Sequence, residues 1–471
     1  MKAKELLKKV GITLDFDFEV NEIQLDSRLV QKNDIFVALH GSLSDGHDFV
    51  ASAIEKGAKL IISEREIEGV ATIVNADAYH IMIELAYFFY GQPSDHLSFI
   101  GVTGTNGKTS ITTLLYQCLI KLNKKCCVFG TNGLYYPNGC IALDNTTPDP
   151  LILMRCLKKM LDLGIKTVIM EVSSHALILD RVRHVQFDIA IFTNLTQDHL
   201  DFHKDMKDYF NAKAILFKNL KSTAAAIINF DDEYGKQLPA LTKANVYSYS
   251  IHEPSTVQAM NVRLDLYTTS FDIDGYQVKN QLLSMANIYN CLAIYCTMQV
   301  LGYRQIEIVE LLNQVTCIRG RLEKVYSQDY VAIVDYAHSP GGIINILSFL
   351  NELKKNRIIT VLGCGGNRDK SKRAIMANLA CQHSDIAILT SDNPRMEDPN
   401  AILADMTNGL NYSNYYVIVN RREAIKKAIE MARKDDIIAV LGKGHEDYQI
   451  IGAKKIHFSD KEEILKAIEG S

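Results

Sequence analysis

The sequence predicts an α/β protein of three domains, and three observations carry that reading. At 471 residues the chain exceeds one ordinary hydrophobic core, since domains hold about 100 to 200 residues each. From Ser98 onward, apolar runs of strand length alternate with amphipathic stretches, and each run ends in a polar turn containing Gly or Asp. After about residue 320 the alternation starts afresh, which sets a second parallel sheet apart from the first.

The first domain is expected over 1–97, as a small mixed α/β unit. It carries short apolar runs, Ile35 to Leu39 and Leu60 to Ile62, broken by the turn-rich GSLSDGHDF. Lys2, Lys4, Lys8 and Lys9 would line the solvent face of a first helix. The central domain, 98–319, is expected to hold a parallel sheet built from SFIGVTG, KTVIMEV, FDIAIFTNL and AAAIINF. Ile111, Leu114, Leu115, Cys118, Leu119 and Leu122 recur at helical spacing, so a helix begins just after Lys108. The third domain, 320–471, reads YVAIVDYAH, RIITVLGCGG, DIAILTSDNP, YYVIVN and DDIIAVLGKG as strands, each followed by a helical stretch. That is a doubly wound, Rossmann-like sheet, in which ligands bind beyond the carboxyl ends of the strands.

Composition narrows the function classes. Hydrophobic residues make up 47% and charged residues 23% of the chain, enough apolar material for folded cores rather than disorder. Lys plus Arg number 51 against 55 Asp plus Glu, a net charge of -4, so no basic field exists to grip nucleic acid. No apolar run approaches transmembrane length, and the lysine-studded N-terminus lacks the apolar core of a signal peptide. A cytoplasmic protein without membrane insertion is expected, with a monomer as its state. The ten cysteines are scattered without a CxxC pair. They fit small buried apolar groups in a reducing compartment rather than zinc ligands or disulfides.

GVTGTNGKTS, residues 101–110, follows a strand and opens a helix. In that context backbone N–H groups of a Gly-rich turn surround a polyphosphate, Lys108 neutralises the outer phosphates and the Thr109 hydroxyl faces Mg²⁺. Five residues separate Gly101 from Gly107, and Val102 stands where a general nucleotide loop has its first glycine. Nearby, Glu171 in EVSSHA ends one strand and His199 in TNLTQDHLDFH lies a few residues past the next. A carboxylate and an imidazole at neighbouring strand ends can hold a divalent ion beside a phosphate loop. Taken singly, each would be a satisfied structural residue, and Lys213 in DYFNAKAILF would be a helix-surface lysine.

The form G-T-N-G-K-T resembles the loop of the Mur ligases and of the folylpolyglutamate synthetases, and further segments extend the likeness to the Mur ligases over essentially the whole chain. LDSR (25–28), VALHG (37–41), DGHDF (45–49), TTPD (146–149), INFDDEYG (228–235), DYAHSP (335–340), GCGGNRDKSKR (363–373), SDNPRMEDP (391–399) and GKGHEDYQ (442–449) follow in the family's order. The resemblance implies an ATP-dependent amide-bond ligase of peptidoglycan precursor synthesis, with domains for a UDP-sugar, ATP and an amino acid in chain order. It implies ATP contacts at Gly104, Thr105, Asn106, Gly107, Lys108, Thr109, Ser110, Asn287, Asn290, Arg321, Asp335 and His338. Metal ligands would be Thr109, Glu171, His199 and Lys213, the last as a carbamate made by CO₂, with Lys108, Lys213, Glu171 and His199 carrying the chemistry.

By the same resemblance Ser27, His47, Asn145, Thr146, Thr147, Ser173 and Arg181 would meet the UDP-N-acetylmuramoyl dipeptide, and Arg368, Asp392, Asn393, Arg395, Gly442 and Glu446 the incoming amino acid. The likeness is to the diaminopimelate-adding or lysine-adding branch. Arg395 in DNPR favours meso-diaminopimelate, because a guanidinium pairs with the second carboxylate that lysine lacks. The alternative is that Arg395 pairs with a protein carboxylate such as Glu397 or Asp398. Residues 318–323, IRGRLE, resemble the family's hinge, about which the third domain would close, and Arg321 there is either structural or a nucleotide contact. Leu179 stands where many relatives have Gln, Asn367 replaces a common Asp, and in LLSMAN (282–287) Ser284 and Ala286 replace Gly and Phe. A folylpolyglutamate-synthetase-like ligase, a paralogue serving another pathway and a regulatory nucleotide-binding module without catalysis are the competing readings.

Overall fold

The computed structural model describes all residues except 42–43, 68–70, 200–201, 316–318 and 471. Ile318, at the head of the expected hinge, therefore lies outside the described residues. The chain divides into two compact units, 1–249 with 253–256, and 250–252 with 257–471. The boundary expected at 97/98 falls inside the first unit and the one at 319/320 inside the second.

In the first unit a four-stranded sheet runs in the order Ile23–Gln24, Ile35–Ala38, Leu60–Ser63, Thr72–Val74, parallel throughout. The first helix, Ala3–Lys9, buries Ala3, Leu6 and Leu7 and leaves Lys4, Lys8 and Lys9 exposed, as the charge pattern predicts. Helix Ala78–Phe89 links this sheet to the larger one: the Tyr79 hydroxyl donates to Leu179 O at 2.8 Å, and the rings of Tyr87 and His184 stack at 3.9 Å.

The larger sheet places Asn245–Ser250, Ala225–Asn229, Phe187–Phe192, Ser98–Thr103, Thr167–Glu171 and Cys126–Gly130 side by side. These strands are parallel, and the antiparallel hairpin Gly133–Tyr136 and Gly139–Ile141 finishes one edge. The predicted helix is Lys108–Lys121, with Ile111, Leu114, Leu115, Cys118 and Leu119 on its buried face. Strand Ser98–Thr103 sits between Phe187–Phe192 and Thr167–Glu171. Its phosphate loop therefore emerges between the two strand ends that carry the other candidate residues.

The second unit begins with an antiparallel three-stranded sheet, Met260–Leu264, Thr269–Ile273, Tyr276–Asn280, followed by helices Met285–Val300 and Gln305–Asn313. Then comes a six-stranded sheet in the order Glu323–Ser327, Val331–Asp335, Ile437–Leu441, Ile358–Cys364, Ile386–Ser391, Tyr415–Val417. Only its first pair is antiparallel. Helices Pro340–Leu353, Ser371–His383 and Pro399–Thr407 pack on one face and Arg421–Glu430 and Asp460–Glu469 on the other, the doubly wound arrangement the alternation predicts.

Under the strand ends of that sheet lies a buried ion pair. Arg421 and Asp460, both fully buried, join through two bonds of 2.7 Å. Arg421 also donates to Leu441 O at 3.0 Å and to Ser391 O at 3.4 Å, the last residues of the two strands that flank Ile358–Cys364.

Ser284, before helix Met285–Val300, holds φ 92° and ψ 150°, backbone space that belongs essentially to glycine. That accounts for the glycine usual at this place in the motif and marks Ser284 as a strained substitute.

Candidate functional site

The phosphate loop is strapped to the end of strand Phe187–Phe192. Thr105 N donates to Asn194 O at 2.8 Å and Asn106 N to Asn194 Oδ1 at 3.0 Å, while Thr193 Oγ1 donates to Asn106 O at 2.6 Å. Gly104, at φ 145°, has no room for a Cβ, which would stand 1.8 Å from Thr193 Oγ1. Gly107 is left-handed at φ 89° and turns the chain into the helix, whose first turn holds Lys108, Thr109 and Ser110. Lys108 Nζ donates to Gly104 O and Thr105 O, both at 2.9 Å.

Glu171 is buried, 1% exposed. Its Oε2 accepts from Thr109 Oγ1 at 2.9 Å and Thr131 Oγ1 at 3.2 Å, and its Oε1 from Thr131 N at 3.0 Å. Burial pushes its carboxyl above the usual range, against the opposing pull of the Lys108 ammonium and these donors. His199, left-handed at φ 53° and exposed, faces Asp198 at 3.7 Å and lies edge-on to His175 and Tyr209. Thus Thr109 and Glu171 are brought into contact, whereas the hydrogen bonds of Glu171 go to Thr109 and Thr131 rather than to His199. Among the described residues no group of three or more His, Cys, Asp and Glu forms a metal-binding cluster. The Thr109 hydroxyl and Glu171 carboxylate are hard oxygen donors 2.9 Å apart, which suits Mg²⁺, an ion usually held by one or two carboxylates together with substrate phosphates.

Lys213 is no surface lysine. It is 1% exposed, on the inner face of helix Met206–Lys218. Its Nζ donates to Gly104 O at 2.8 Å and lies 4.4 Å from the Tyr209 ring centre. Burial, reinforced by the Lys108 charge, drives its ammonium well below the ordinary lysine range. The Lys213 amine thus loses its proton more readily than a free lysine does.

The other predicted residues of the first unit fall into two groups. Thr147 Oγ1 donates to Glu171 O at 2.8 Å and accepts from Ser173 N at 3.1 Å. Arg181 donates to Thr147 O at 3.0 Å and pairs with Asp149 at 3.1 Å, Asn145 Nδ2 bonds Asp149 Oδ2 at 3.4 Å, and Thr146 and Thr131 hydroxyls meet at 3.2 Å. This loop is thereby fixed against the strand that carries Glu171. In the first sheet Ser27 is buried and its carbonyl accepts from Lys56 Nζ at 3.0 Å. The His47 ring, 4% exposed, bonds Asp45 through Nδ1, and its Nε2 is buried with no hydrogen-bond partner among the described residues.

In the second unit Asn287 and Asn290 are buried and bonded to each other at 2.9 Å, with Asn287 also donating to Leu283 O at 2.6 Å. Asp335 accepts from Leu322 N and Ala337 N, both at 2.7 Å. Burial pushes its carboxyl up while Arg321 opposes. The Arg321 guanidinium lies over the Tyr336 ring at 4.8 Å, and His338 Nδ1 donates to Tyr336 O at 2.9 Å.

A cavity of about 430 Å³ opens beyond the strand ends of the six-stranded sheet, and Arg368, Asp392, Asn393, Arg395, Gly442 and Glu446 all line it. Gly442, at φ 115°, brings the backbone so near Asp392 that a Cβ would stand 2.9 Å from its Oδ2. Burial pushes the Asp392 carboxyl up, opposed by Lys443 and Arg421. Glu446 Oε2 accepts from Asn393 Nδ2 at 2.8 Å and from the buried Lys443 Nζ at 2.9 Å. Arg395, left-handed at φ 52°, donates through Nη1 to Gly366 O at 2.9 Å and Asn393 O at 3.5 Å. Neither protein carboxylate offered for it is taken: Glu397 pairs with Arg373 at 2.9 Å, and Asp398 caps the next helix through Asn400 N.

Sequence reasoning passed over Lys443, Tyr209, Thr131 and Arg373. Lys443 was signalled only by standing between Gly442 and Glu446 in GKGHE. Thr131 and Arg373 become significant only through contacts distant in sequence, and Tyr209 through its ring beside Lys213, one helical turn away.

Three family models cover most of the chain: the Mur ligase family catalytic domain matches 19–84, the Mur ligase middle domain 102–298 and the Mur ligase glutamate ligase domain 320–444. A UDP-N-acetylmuramoyl-L-alanyl-D-glutamate–2,6-diaminopimelate ligase of Clostridium tetani is 41% identical across 100% of this chain and 99% of its own. The enzyme of the same description from Lactiplantibacillus plantarum is 41% identical across 99% of both. A solved structure of a ligase so described superposes with a TM-score of 0.72 at 30% identity, over 100% of this chain and 99% of that one.

Proposed function

The chain belongs to the Mur ligase family, and from that premise we propose that it joins meso-diaminopimelate to UDP-N-acetylmuramoyl-L-alanyl-D-glutamate at the expense of ATP, in peptidoglycan precursor synthesis. The observation that carries the choice of amino acid is Arg395. Its guanidinium reaches a cavity lined also by Arg368 and Glu446, and among the described residues it is hydrogen-bonded to the main-chain oxygens of Gly366 and Asn393. A substrate end bearing both a carboxylate and an ammonium complements that pairing of cation and anion, and lysine offers only the ammonium.

The free carboxylate of the nucleotide-linked dipeptide takes the γ-phosphoryl group of ATP, giving an acyl phosphate and ADP. The substrate amine then attacks the acyl carbon, the amide forms and phosphate leaves. Two anions must meet in the first step, so fixed positive charge is the main requirement. Lys108 supplies it, and the backbone N–H groups of residues 104–110 cradle the polyphosphate. Thr109, Glu171, His199 and the carbamate of Lys213 would hold Mg²⁺, which when bound neutralises phosphate charge. The buried, neutral-leaning Lys213 amine supports the carbamate reading, because the unprotonated amine is the form that adds to CO₂.

His47, Ser27 and the loop of Asn145, Thr146, Thr147, Ser173 and Arg181 would bind the UDP-sugar and its peptide. Asn287, Asn290, Arg321, Asp335 and His338 would complete the nucleotide site. The same reading divides the chain at 97/98 and 319/320 and makes it a cytoplasmic monomer. Among the described residues no helix is long and apolar enough to cross a membrane. The test is ADP release: turnover that needs both the UDP-muramoyl dipeptide and diaminopimelate supports the ligase, and nucleotide binding without turnover refutes it.

A further inference from the structure

We propose that Arg373 is a positioning residue for amino-acid selection: by taking both oxygens of Glu397 it keeps the carboxylate two residues from Arg395 off that guanidinium, and so leaves Arg395 available to a substrate carboxylate. The proposal rests on the assignment of the Arg395 cavity to the incoming amino acid.

The geometry is specific. Arg373 sits on helix Ser371–His383 with its side chain 2% exposed. Nη1 donates to Glu397 Oε2 at 2.9 Å and Nη2 to Glu397 Oε1 at 3.0 Å, a bidentate pair. Nη1 also reaches Asp405 at 2.7 Å, and Nη2 reaches Gly365 O at 3.2 Å. Glu397 accepts in addition from Asn367 N, and Asn367 Oδ1 accepts from Met396 N at 3.1 Å. The Arg373 guanidinium holds the Glu397 carboxyl down at about 2, so it stays ionised.

The loops that Arg373 joins touch closely. Gly366 N donates to Asn393 O at 2.9 Å, and a Cβ on Gly366 would stand 1.9 Å from Pro394 O. Glu397 is thus fixed close behind the Arg395 loop, with Arg373 between it and any other use. If the Arg373 charge is removed, Lys370 stands 3.7 Å from Glu397, and Arg395 lies across one peptide from it: Glu397 accepts from Asn367 N while Arg395 donates to the Gly366 O of the same peptide. An Arg395 neutralised by Glu397 has less to offer an incoming carboxylate, and the substrate must displace an internal ion pair.

Steady-state kinetics on the full chain decide the matter. Arg373→Met keeps the length and apolar packing of the side chain, and its Glu397 and Asp405 partners are exposed enough to rehydrate. It is expected to raise KM for diaminopimelate by about tenfold or more, one charge-assisted bond's worth, to lower kcat much less, and to shrink the preference over lysine. The double variant Arg373→Met/Glu397→Gln is expected to recover KM and preference, because the competing carboxylate is gone. A purely structural Arg373 would show no such recovery. An unchanged KM in folded Arg373→Met, or a double variant as impaired as the single, overturns the proposal. If the single variant does not fold, the double variant alone decides, and weak diaminopimelate binding there overturns it. A wild type that does not prefer diaminopimelate refutes the cavity assignment instead, so the two failures are distinguishable.

Discussion

Lys108 and Lys213, 105 positions apart in a chain of 471, donate to the same carbonyl oxygen, that of Gly104, at 2.9 and 2.8 Å. Burial first, and then repulsion from the Lys108 ammonium on the shared acceptor, drives the Lys213 ammonium well below the ordinary lysine range.

Lys108→Ala is expected to remove the loop's positive charge without disturbing the sheet, since the Lys108 side chain stands at a loop rather than in a core. Amide formation should fall by about a hundredfold to a thousandfold, the usual cost of deleting a group aimed at transition-state charge. The measurement is ADP release alongside a thermal melt, and a folded variant with near wild-type turnover refutes the phosphate-loop assignment.

For Lys213 the prediction concerns CO₂ and pH. A lysine whose folded pKa lies below its unfolded one is neutral in the fold over the window between the two values. There the unfolded chain binds the extra proton, so this lysine costs stability that is recovered as pH rises through that window. The same window supplies the nucleophilic amine, so labelled CO₂ should be taken up by the folded chain and released on acidification. Lys213→Ala should be nearly inactive and partly rescued by short carboxylates. A fully active alanine variant, or wild type that takes up no label, counts against the carbamate.

Arg395→Ala should cost at least about tenfold in kcat/KM for diaminopimelate, since each charge-assisted bond is worth about 1.5 to 3 kcal/mol and about 1.4 kcal/mol is a factor of ten. The value for lysine should change far less. Wild type that uses lysine as well as diaminopimelate would make the assignment wrong while leaving the ligase intact.

Ser284→Gly should stabilise the second unit. A non-glycine residue at φ 92° and ψ 150° carries about 1 to 3 kcal/mol of strain, and glycine's greater unfolded entropy returns about 0.5 to 1 kcal/mol of that. A higher midpoint of thermal unfolding is expected, and a lower one means the Ser284 side chain contributes more than its backbone costs.

What could be read from the sequence follows from physical range. Strands such as Phe187–Phe192 and Ile437–Leu441 were legible because a parallel sheet covered on both faces demands unbroken apolar runs, and the phosphate loop because its glycines and lysine act within a few residues. The antiparallel strands Thr269–Ile273 and Tyr276–Asn280 went unread although Asp274-Gly275, both at positive φ, is a hairpin signal; their mixed polar faces hide them from an apolar-run search. Lys213 read as a surface residue because nothing within its helix tells that Gly104 will pack over it. The Glu171–His199 pairing supposes neighbouring strand ends, but strand Ser98–Thr103 lies between Thr167–Glu171 and Phe187–Phe192, and His199, left-handed, faces Asp198 and His175. No local pattern could foretell that Glu397 would go to Arg373 rather than to Arg395, two residues away.

The buried pair of Arg421 and Asp460 also bears on biosynthesis. Asp460 opens helix Asp460–Glu469, and through Arg421 it grips the carbonyls of Ser391 and Leu441, each one step before a cavity residue. Until that helix docks, Arg421 lacks its bidentate carboxylate partner, and breaking a buried pair of this kind costs about 3 to 5 kcal/mol. During synthesis from the N-terminus, the phosphate loop can be assembled while later strands are still being made, whereas the amino-acid cavity waits for residues 460–469 to leave the ribosome. A nascent chain can therefore form its phosphate loop before the cavity that Asp392 and Gly442 line.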